Sequence, residues 1–265
     1  MEDPPPDKGK RVRLPRILIR RSRNLPLLSF MCGLFLVLSG CGTSSPAPTP
    51  NDAATAAEIL QRASSRLAEI PSAHFTLSVE GETYVDTAGA IRLVGAEGDL
   101  VRPDKVSVQF QAEIVGRTIT IQLITIGESS WTTNILTGDW EPAPLEFTYR
   151  PDILFSTQEG IGPVMGAVTD AHRLEDTDVA GRAVYHIQGT VEQELVGPLT
   201  YYSMRGSPVS VNLWIDRQTS DLLRAQLAEP PSDERPSPAI WTLDLSHHGD
   251  EFVINPPVTS VQATP

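Results

Sequence analysis

The chain has 265 residues, of which 40% are hydrophobic and 20% charged. That composition excludes a wholly disordered or collagen-like chain and suits one large core with appendages. The formal net charge of −12 divides unevenly: residues 1–40 hold eight Lys/Arg against three acids, leaving 13 basic and 30 acidic groups beyond them, with Lys105 the sole lysine after Cys41. A surface so acidic repels phosphate backbones and argues against nucleic-acid binding.

Lys8, Lys10, Arg11, Arg13, Arg16, Arg20, Arg21 and Arg23 form a basic leader, followed by an apolar run from Leu25 to Leu38. A run of about 14 residues is short for a membrane span, which needs roughly 20, and fits the hydrophobic region of a signal peptide. Leu38-Ser-Gly-Cys41 resembles a bacterial lipobox. Its thiol can carry a thioether-linked diacylglycerol, and the small residues before it admit a peptidase. Cys32 lies in the segment removed, so Cys41 is the only thiol of the mature chain and no internal disulfide is expected. Two acyl chains of roughly sixteen carbons contribute on the order of 20 kcal/mol to membrane attachment. No cofactor is expected beyond that covalent acyl modification. The predicted organisation is a signal peptide over 1–40, a Pro/Ser/Thr-rich tether over 41–52, a folded domain over 53–257 and a disordered tail over 258–265.

Ala53, Ala56, Leu60, Ala63, Leu67 and Ile70 recur three and four apart, which predicts an amphipathic helix with Asp52 as its N-cap and Pro71 at its end. Alternation then sets in. Phe75, Leu77 and Val79 share one strand face; Ile91 to Val94 read likewise; Val106, Val108 and Phe110 follow; then come Ile119, Ile121 and Leu123. A strand pair is expected near Ser129 to Asn134 and Gly138 to Glu141. Between Asp152 and Ala171 alternation stops, and Leu154, Met165 and Val168 read as parts of short helices broken near Gly160 to Pro163. Alternation returns at Ala183, Tyr185 and Ile187, at Val209, Val211, Leu213 and Ile215, at Leu223 to Leu227, and at Trp241 to Leu245. The pattern predicts about nine to eleven strands joined by short turns and therefore antiparallel.

A sheet this long with one apolar face must bury that face by curling around helices or closing on itself. The fold class expected is therefore α+β: a strongly curved antiparallel half-barrel wrapping helices on its concave side, with a closed up-and-down barrel as the alternative.

Several phrases, in this order, resemble the LppX/LprG group of bacterial lipoproteins, which is related in fold to LolA and LolB. They are Gly98-Asp-Leu-Val-Arg-Pro-Asp-Lys105, Ile126-Gly-Glu-Ser-Ser-Trp131, Thr137-Gly-Asp-Trp140, Leu174 to Arg182, Tyr185-His-Ile-Gln-Gly189, Val211-Asn-Leu-Trp-Ile-Asp216 and Asp244-Leu-Ser246. The resemblance implies a bent sheet with helices across its concave side and an apolar cavity between them. It implies a lipid or glycolipid ligand, a cell-envelope location on the outer face of the membrane, and a membrane transporter as a candidate partner for a monomeric carrier. The cavity lining it implies comprises Phe75, Leu77, Val79, Val106, Val108, Phe110, Ile119, Ile121, Leu123, Tyr185, Ile187, Val211, Leu213 and Ile215 from the sheet, with Leu154, Met165 and Val168 from the covering helices. The long, proline-rich connection from Glu229 to Pro238 departs from the family pattern and bears on the cavity mouth.

Catalytic signatures are absent: there is no Gly-x-Ser-x-Gly elbow, Walker loop, His-Glu-x-x-His or Cys-x-x-Cys. His247 and His248 with Asp250 and Glu251 are the nearest approach to a metal cluster, but adjacent strand residues point to opposite faces. Glu175, Asp176 and Asp178 read as a solvated acidic loop. Trp131, Trp140, Trp214 and Trp241 read as half-buried strand packing. The expected function is lipid carriage by a non-enzymatic anchored protein; the alternative is an envelope interaction or sensor module whose core is filled.

Overall fold

A computed structural model describes residues 54–81, 83–84, 91–144, 151–204, 206–233 and 236–259. The predicted signal peptide, Cys41, the tether, the Asp52 cap and most of the tail lie outside the described residues. Every described residue belongs to one compact unit, 48–265. That unit has its own hydrophobic core, the property that lets a domain fold alone.

Helix α1 spans Ala56–Glu69 and starts at a capping box: the Thr55 hydroxyl accepts from the Glu58 amide at 3.3 Å, and the Glu58 carboxylate accepts from the Thr55 amide at 2.8 Å. Thr-x-x-Glu satisfies two orphan donors at once, worth about 1 kcal/mol, so the helix opens at this cap; the start expected at Ala53 lies outside the described residues. Its stripe of Ala56, Ile59, Leu60, Ala63 and Leu67 is buried, and Pro71 follows the last turn as expected.

The sheet has twelve strands: β1 (Ser72–Glu80), β2 (Ile91–Val101), β3 (Lys105–Ile114), β4 (Arg117–Ile126), β5 (Ser129–Thr133), β6 (Trp140–Pro142), β7 (Thr169–Arg173), β8 (Thr177–Val179), β9 (Arg182–Val191), β10 (Val209–Asp216), β11 (Leu222–Ala228) and β12 (Ile240–Ser246). Their order is β6-β5-β4-β3-β2-β1-β12-β11-β10-β9-β7, with β8 also on β9. Every pair is antiparallel. The two ends, β6 and β7, do not pair with each other, so the sheet is curved and open; the closed barrel is not what forms. The first strand pairs with the last, His74 opposite Ser246 through Glu80 opposite Ile240, which places both of them in mid-sheet.

Two short strands, β7 and β8, were not expected. The sequence shows no alternation through Ala171 and reads Asp178 as part of an acidic loop, yet Thr169–Arg173 and Thr177–Val179 lie along β9. An unpaired outer edge on β9 would leave a row of backbone donors and acceptors exposed, and these strands cover it. β7 is itself irregular, with a register shift between Thr169 and His172 and Asp170 at φ 52°. β2 carries a bulge between Leu93 and Gly95. The inward positions therefore pass from odd numbers at Leu93 to even numbers at Ala96 and Leu100, all three buried. That switch aligns them with the even-numbered inner face of β3. On the same strand Gly98 lies opposite Phe75. A Cβ at 98 would stand 2.3 Å from the Ser107 carbonyl oxygen and 3.0 Å from Phe75 Cε1, so glycine is what allows the Phe75 ring to lie across the strand.

On the concave side lie α1, a 3-10 turn (Pro151–Phe155), helix α2 (Ile161–Gly166) and the short helix α3 (Gln193–Val196). Ile59, Leu67, Leu100, Val106, Ile187 and Ile215 join one continuous buried core. The convex face carries polar cross-strand rows. In one of them His186 stacks on Trp214 at 4.5 Å, Arg224 lies 5.9 Å over the same ring, and Arg224 donates to Asp244 at 2.6 Å. Among the described residues no helix is long and apolar enough to cross a membrane.

Candidate functional site

The core does not fill the whole concave side. A cavity of about 470 Å³ remains between the sheet and the covering segments, within the range of small-molecule sites. Seven strands face it: β1, β2, β3, β4, β10, β11 and β12. Opposite them are Leu154 of the 3-10 turn, Ile161, Val164 and Met165 of α2, Val168, and the turn from Leu199 to Ser203.

No described lining residue is charged. Several polar groups on the wall bond within the protein. Thr200 Oγ1 donates to the Val196 carbonyl at 3.0 Å, Ser203 Oγ donates to the Thr200 carbonyl at 2.6 Å, and Trp241 Nε1 donates to Thr83 Oγ1 at 3.4 Å. What the wall offers a guest is therefore mainly hydrocarbon, which attracts it through dispersion contacts and water exclusion.

Leu154 owes its place to Arg102. The guanidinium donates to the Leu67 carbonyl at 3.0 Å, the Ile70 carbonyl at 2.9 Å and the Phe155 carbonyl at 2.8 Å. It thus ties the C-terminal turn of α1 to the 3-10 turn. α2 is fixed from the other side, where Ser64 Oγ of α1 donates to the Gly162 carbonyl at 2.9 Å. The break expected at Gly160 to Pro163 is the start of α2, whose N-cap is Gly160.

Of the seventeen lining residues expected, ten lie on the wall: Phe75, Leu77, Phe110, Ile121, Leu123, Leu154, Met165, Val168, Val211 and Leu213. The others do not. Val106, Val108, Tyr185, Ile187 and Ile215 belong to the solid core shared with α1. Val79 is buried opposite Trp241 without reaching the cavity, and Ile119 is half-buried. Alternation reveals which face of a strand points inward but not which stretch of that face a helix covers. β9 contributes nothing to the wall, and its Tyr185 is clasped by the guanidiniums of Arg173 and Arg217, 4.7 and 5.2 Å from the ring centre.

Other wall residues went unanticipated. Leu93, Ala225, Leu227, Trp241 and Leu243 sit on inward strand positions that the alternation already marked, whereas Ala96, beyond the β2 bulge, and Ala112, at the end of β3, lie past the residues it marked. Thr83, Tyr84, Ile135, Leu199, Thr200, Tyr201 and Ser203 come from turns and irregular segments, with Tyr84 in an isolated bridge to Arg92. There the available signal was apolar residues in turn sequence, Ile135-Leu136 and Leu199-Thr-Tyr-Tyr202.

The polar clusters noted in the sequence are taken up in the fold. His247 Nδ1 lies 2.9 Å from Asp250 Oδ2, whereas His248 Nε2 donates to the Leu222 carbonyl at 3.0 Å, so the two rings do not converge. Asp176 pairs with Arg173 at 3.0 Å and with Arg217 at 3.1 Å. Trp241 lines the cavity, and Trp214 lies on the opposite face of the sheet.

Comparison with known proteins gives the same architecture a family. The model of the LppX/LprAFG lipoproteins matches residues 55–254. The chain belongs to the LppX/LprAFG lipoprotein family. The crystal structure of LprF from Mycobacterium bovis superposes with a TM-score of 0.61 at 18% identity, covering 80% of this chain and 99% of that one. Lipoprotein LppX from Mycobacterium tuberculosis gives 0.53 at 15% identity over 76% of this chain and 98% of that one. A LolA superfamily protein from Nitrosomonas europaea gives 0.25 at 11% identity, over 76% and 96%. No curated protein is detectably similar to the chain. At these identities the first two matches establish a shared fold spanning nearly the whole of both relatives.

Proposed function

We propose that the protein is a non-enzymatic, membrane-anchored carrier that takes an acyl chain of a lipid or glycolipid into its cavity and moves it across the cell envelope. The observation that supports this most directly is a hollow of about 470 Å³ with no charge on its described wall. Each methylene moved from water into such a hollow contributes about 0.8 kcal/mol, so ten contribute about 8 kcal/mol, enough for loading with no bond made or broken. The head group stays outside, because nothing on the described wall pairs with a charge and an unpaired buried charge is prohibitive. Cys41, as the thioether-linked lipid anchor, keeps the carrier on the outer face of the cell membrane while the tether gives the domain its reach.

The test is to purify residues 48–265, extract them with organic solvent and analyse the extract by mass spectrometry. Acylated lipid near one per protein is the expected result. A lipid-free preparation that also takes up no fluorescent fatty-acyl probe would overturn the reading and leave an anchored protein without cargo.

A further inference from the structure

We propose that the rim of the cavity is a docking surface for the bilayer: the protein seats it against uncharged lipid, so that an acyl chain passes from membrane to cavity without crossing water. The inference rests on the carrier reading and adds where the cavity meets its lipid source.

Three residues of the cavity wall are also open to solvent: Tyr84 at 40%, Ile135 at 51% and Tyr201 at 41% exposure. They come from three separate segments, the bridge beside β2, the β5–β6 turn and the turn after α3. Their chain neighbours Leu136 and Tyr202 are more exposed still, at 93% and 63%. These five are more than half of the nine large exposed apolar residues among those described, so apolar exposure concentrates where the cavity opens. Large apolar clusters at a surface mark interaction sites, whereas single exposed residues need no explanation.

Both of the longer turns are built to hold these side chains out. Asn134 Oδ1 accepts from the amides of Leu136 and Thr137 at 2.9 and 3.2 Å, and the Asn134 amide donates to the Asp139 carbonyl at 2.8 Å. Ile135 and Leu136 are thus displayed on a closed turn. Tyr201 and Tyr202 both have left-handed backbone, φ 51° and 53°, a conformation unfavourable for bulky side chains and retained where the surroundings fix it. Here the Tyr202 amide donates to the Gly197 carbonyl at 2.8 Å, and the absence of a Cβ at 197, which would meet the Tyr202 ring at 2.8 Å, leaves that ring its place.

The partner that fits is a lipid surface. Tyrosine suits the membrane interface, with an apolar ring and a polar tip, and Ile and Leu suit the hydrocarbon edge beneath it. The rim residues carry no charge, and the chain beyond residue 40 has 30 acids against 13 bases, so attraction to anionic lipid does not bring it there. Cys41 precedes Thr55 by 14 residues, at most about 50 Å of extended chain, which keeps the domain within reach of the bilayer that holds its anchor. The rim is also continuous with the apolar wall, so a docked mouth joins two hydrocarbon phases.

The experiment is flotation of residues 48–265 with phosphatidylcholine vesicles. The domain should partition onto them to an extent unchanged by added salt. The double variant Leu136→Asp/Tyr202→Asp should lower that partition about tenfold or more, the milder Leu136→Ala/Tyr202→Ala should lower it severalfold, and Val253→Asp, at an exposed site outside the rim, should leave it unchanged. Uptake of a fluorescent acyl probe without vesicles reads the carrier function separately, and both double variants should keep it because neither position lines the cavity. The docking proposal falls if the wild type ignores phosphatidylcholine or if the variants bind equally well. It falls too if binding needs anionic lipid and vanishes with salt, or if the rim substitutions instead abolish a dimer of the free domain. Loss of probe uptake by the wild type would defeat the carrier reading while leaving the flotation result to stand on its own.

Discussion

The guanidinium of Arg102 donates to the Phe155 carbonyl at 2.8 Å and lies 5.0 Å over the centre of the same residue's ring. One side chain from the β2–β3 turn thereby fixes both the backbone and the side chain of the segment that carries Leu154 into the cavity wall. Arg102→Ala leaves the Leu67, Ile70 and Phe155 carbonyls without this donor, and the expected loss is about 2–4 kcal/mol. Arg102→Lys recovers only part of it, since an ammonium cannot present the same planar fork to three carbonyls. Urea unfolding measures the loss, and release of a bound acyl probe should be faster in both variants. Unaltered stability in Arg102→Ala would refute the role given to this clip.

A cavity can be filled from its own wall. Ala225 lies between Leu213 and Leu243 in register and faces the hollow. In Ala225→Phe the added ring occupies volume that an acyl chain would take. The affinity for an acyl probe should drop by about tenfold or more, while the thermal midpoint stays or rises, because apolar contacts are gained where there was void. A variant that binds the probe as well as the wild type would show that the guest lies elsewhere.

How much of this was legible follows from where each signal resides. Period two runs through Phe75–Val79 and Val209–Ile215 because one face is buried, so the sheet, its antiparallel order and its inward faces could be read directly. The bulge at Leu93/Gly95 breaks that period, which is why Ala96 was not read as wall. Whether an inward residue meets α1 or empty space depends on where the helix lies. Leu213 and Ile187 are register partners of the same pattern, and only Leu213 reaches the cavity. The Thr55/Glu58 box was written in the sequence as Thr-x-x-Glu but competed with Asp52, an equally good capping residue type. Ile135 and Tyr201 belong to turns and Tyr84 to an isolated bridge, where no period exists to be read.

Stability should respond to pH in two separate windows. Burial holds the His248 imidazole below its ordinary 6.5, against the upward pull of Asp221. The unfolded chain therefore binds this proton at a higher pH than the folded protein does. Stability falls as pH drops through about 6.5 and levels off once the folded value is passed, with a slope of at most about 1.4 kcal/mol per pH unit for one proton. Burial raises the carboxyls of Asp216 and Asp221. Hydrogen bonds outweigh it, from Thr219, Gln218 and Arg182 at Asp216 and from Thr219 and Arg66 at Asp221, and both carboxyls stand below 3.8. Their contribution is complete above that value and is lost as pH falls through their folded values. Urea midpoints measured against pH should show both limbs, and His248→Gln, which keeps a donor for the Leu222 carbonyl, should flatten the upper limb alone. A wild-type midpoint that does not move between about pH 7.5 and 5 would exclude the His248 assignment.

Two tryptophans on opposite faces of the sheet give an optical test of where the acyl chain goes. Trp241 lines the cavity, its Nε1 bonded to Thr83, while Trp214 is stacked between His186 and Arg224 on the outer face. A brominated acyl chain quenches indole emission only at contact range, so cargo in the cavity should quench Trp241 and spare Trp214. Trp241→Phe should therefore lose most of the quenching on titration with a brominated fatty acid, and Trp214→Phe should keep it. Binding of the probe should survive in both, because phenylalanine preserves most of the apolar wall and the outer-face ring touches no cargo. Quenching that persists in Trp241→Phe and disappears in Trp214→Phe would place the acyl chain on the convex surface, where the His186, Arg224 and Asp244 row offers no hydrocarbon to hold it.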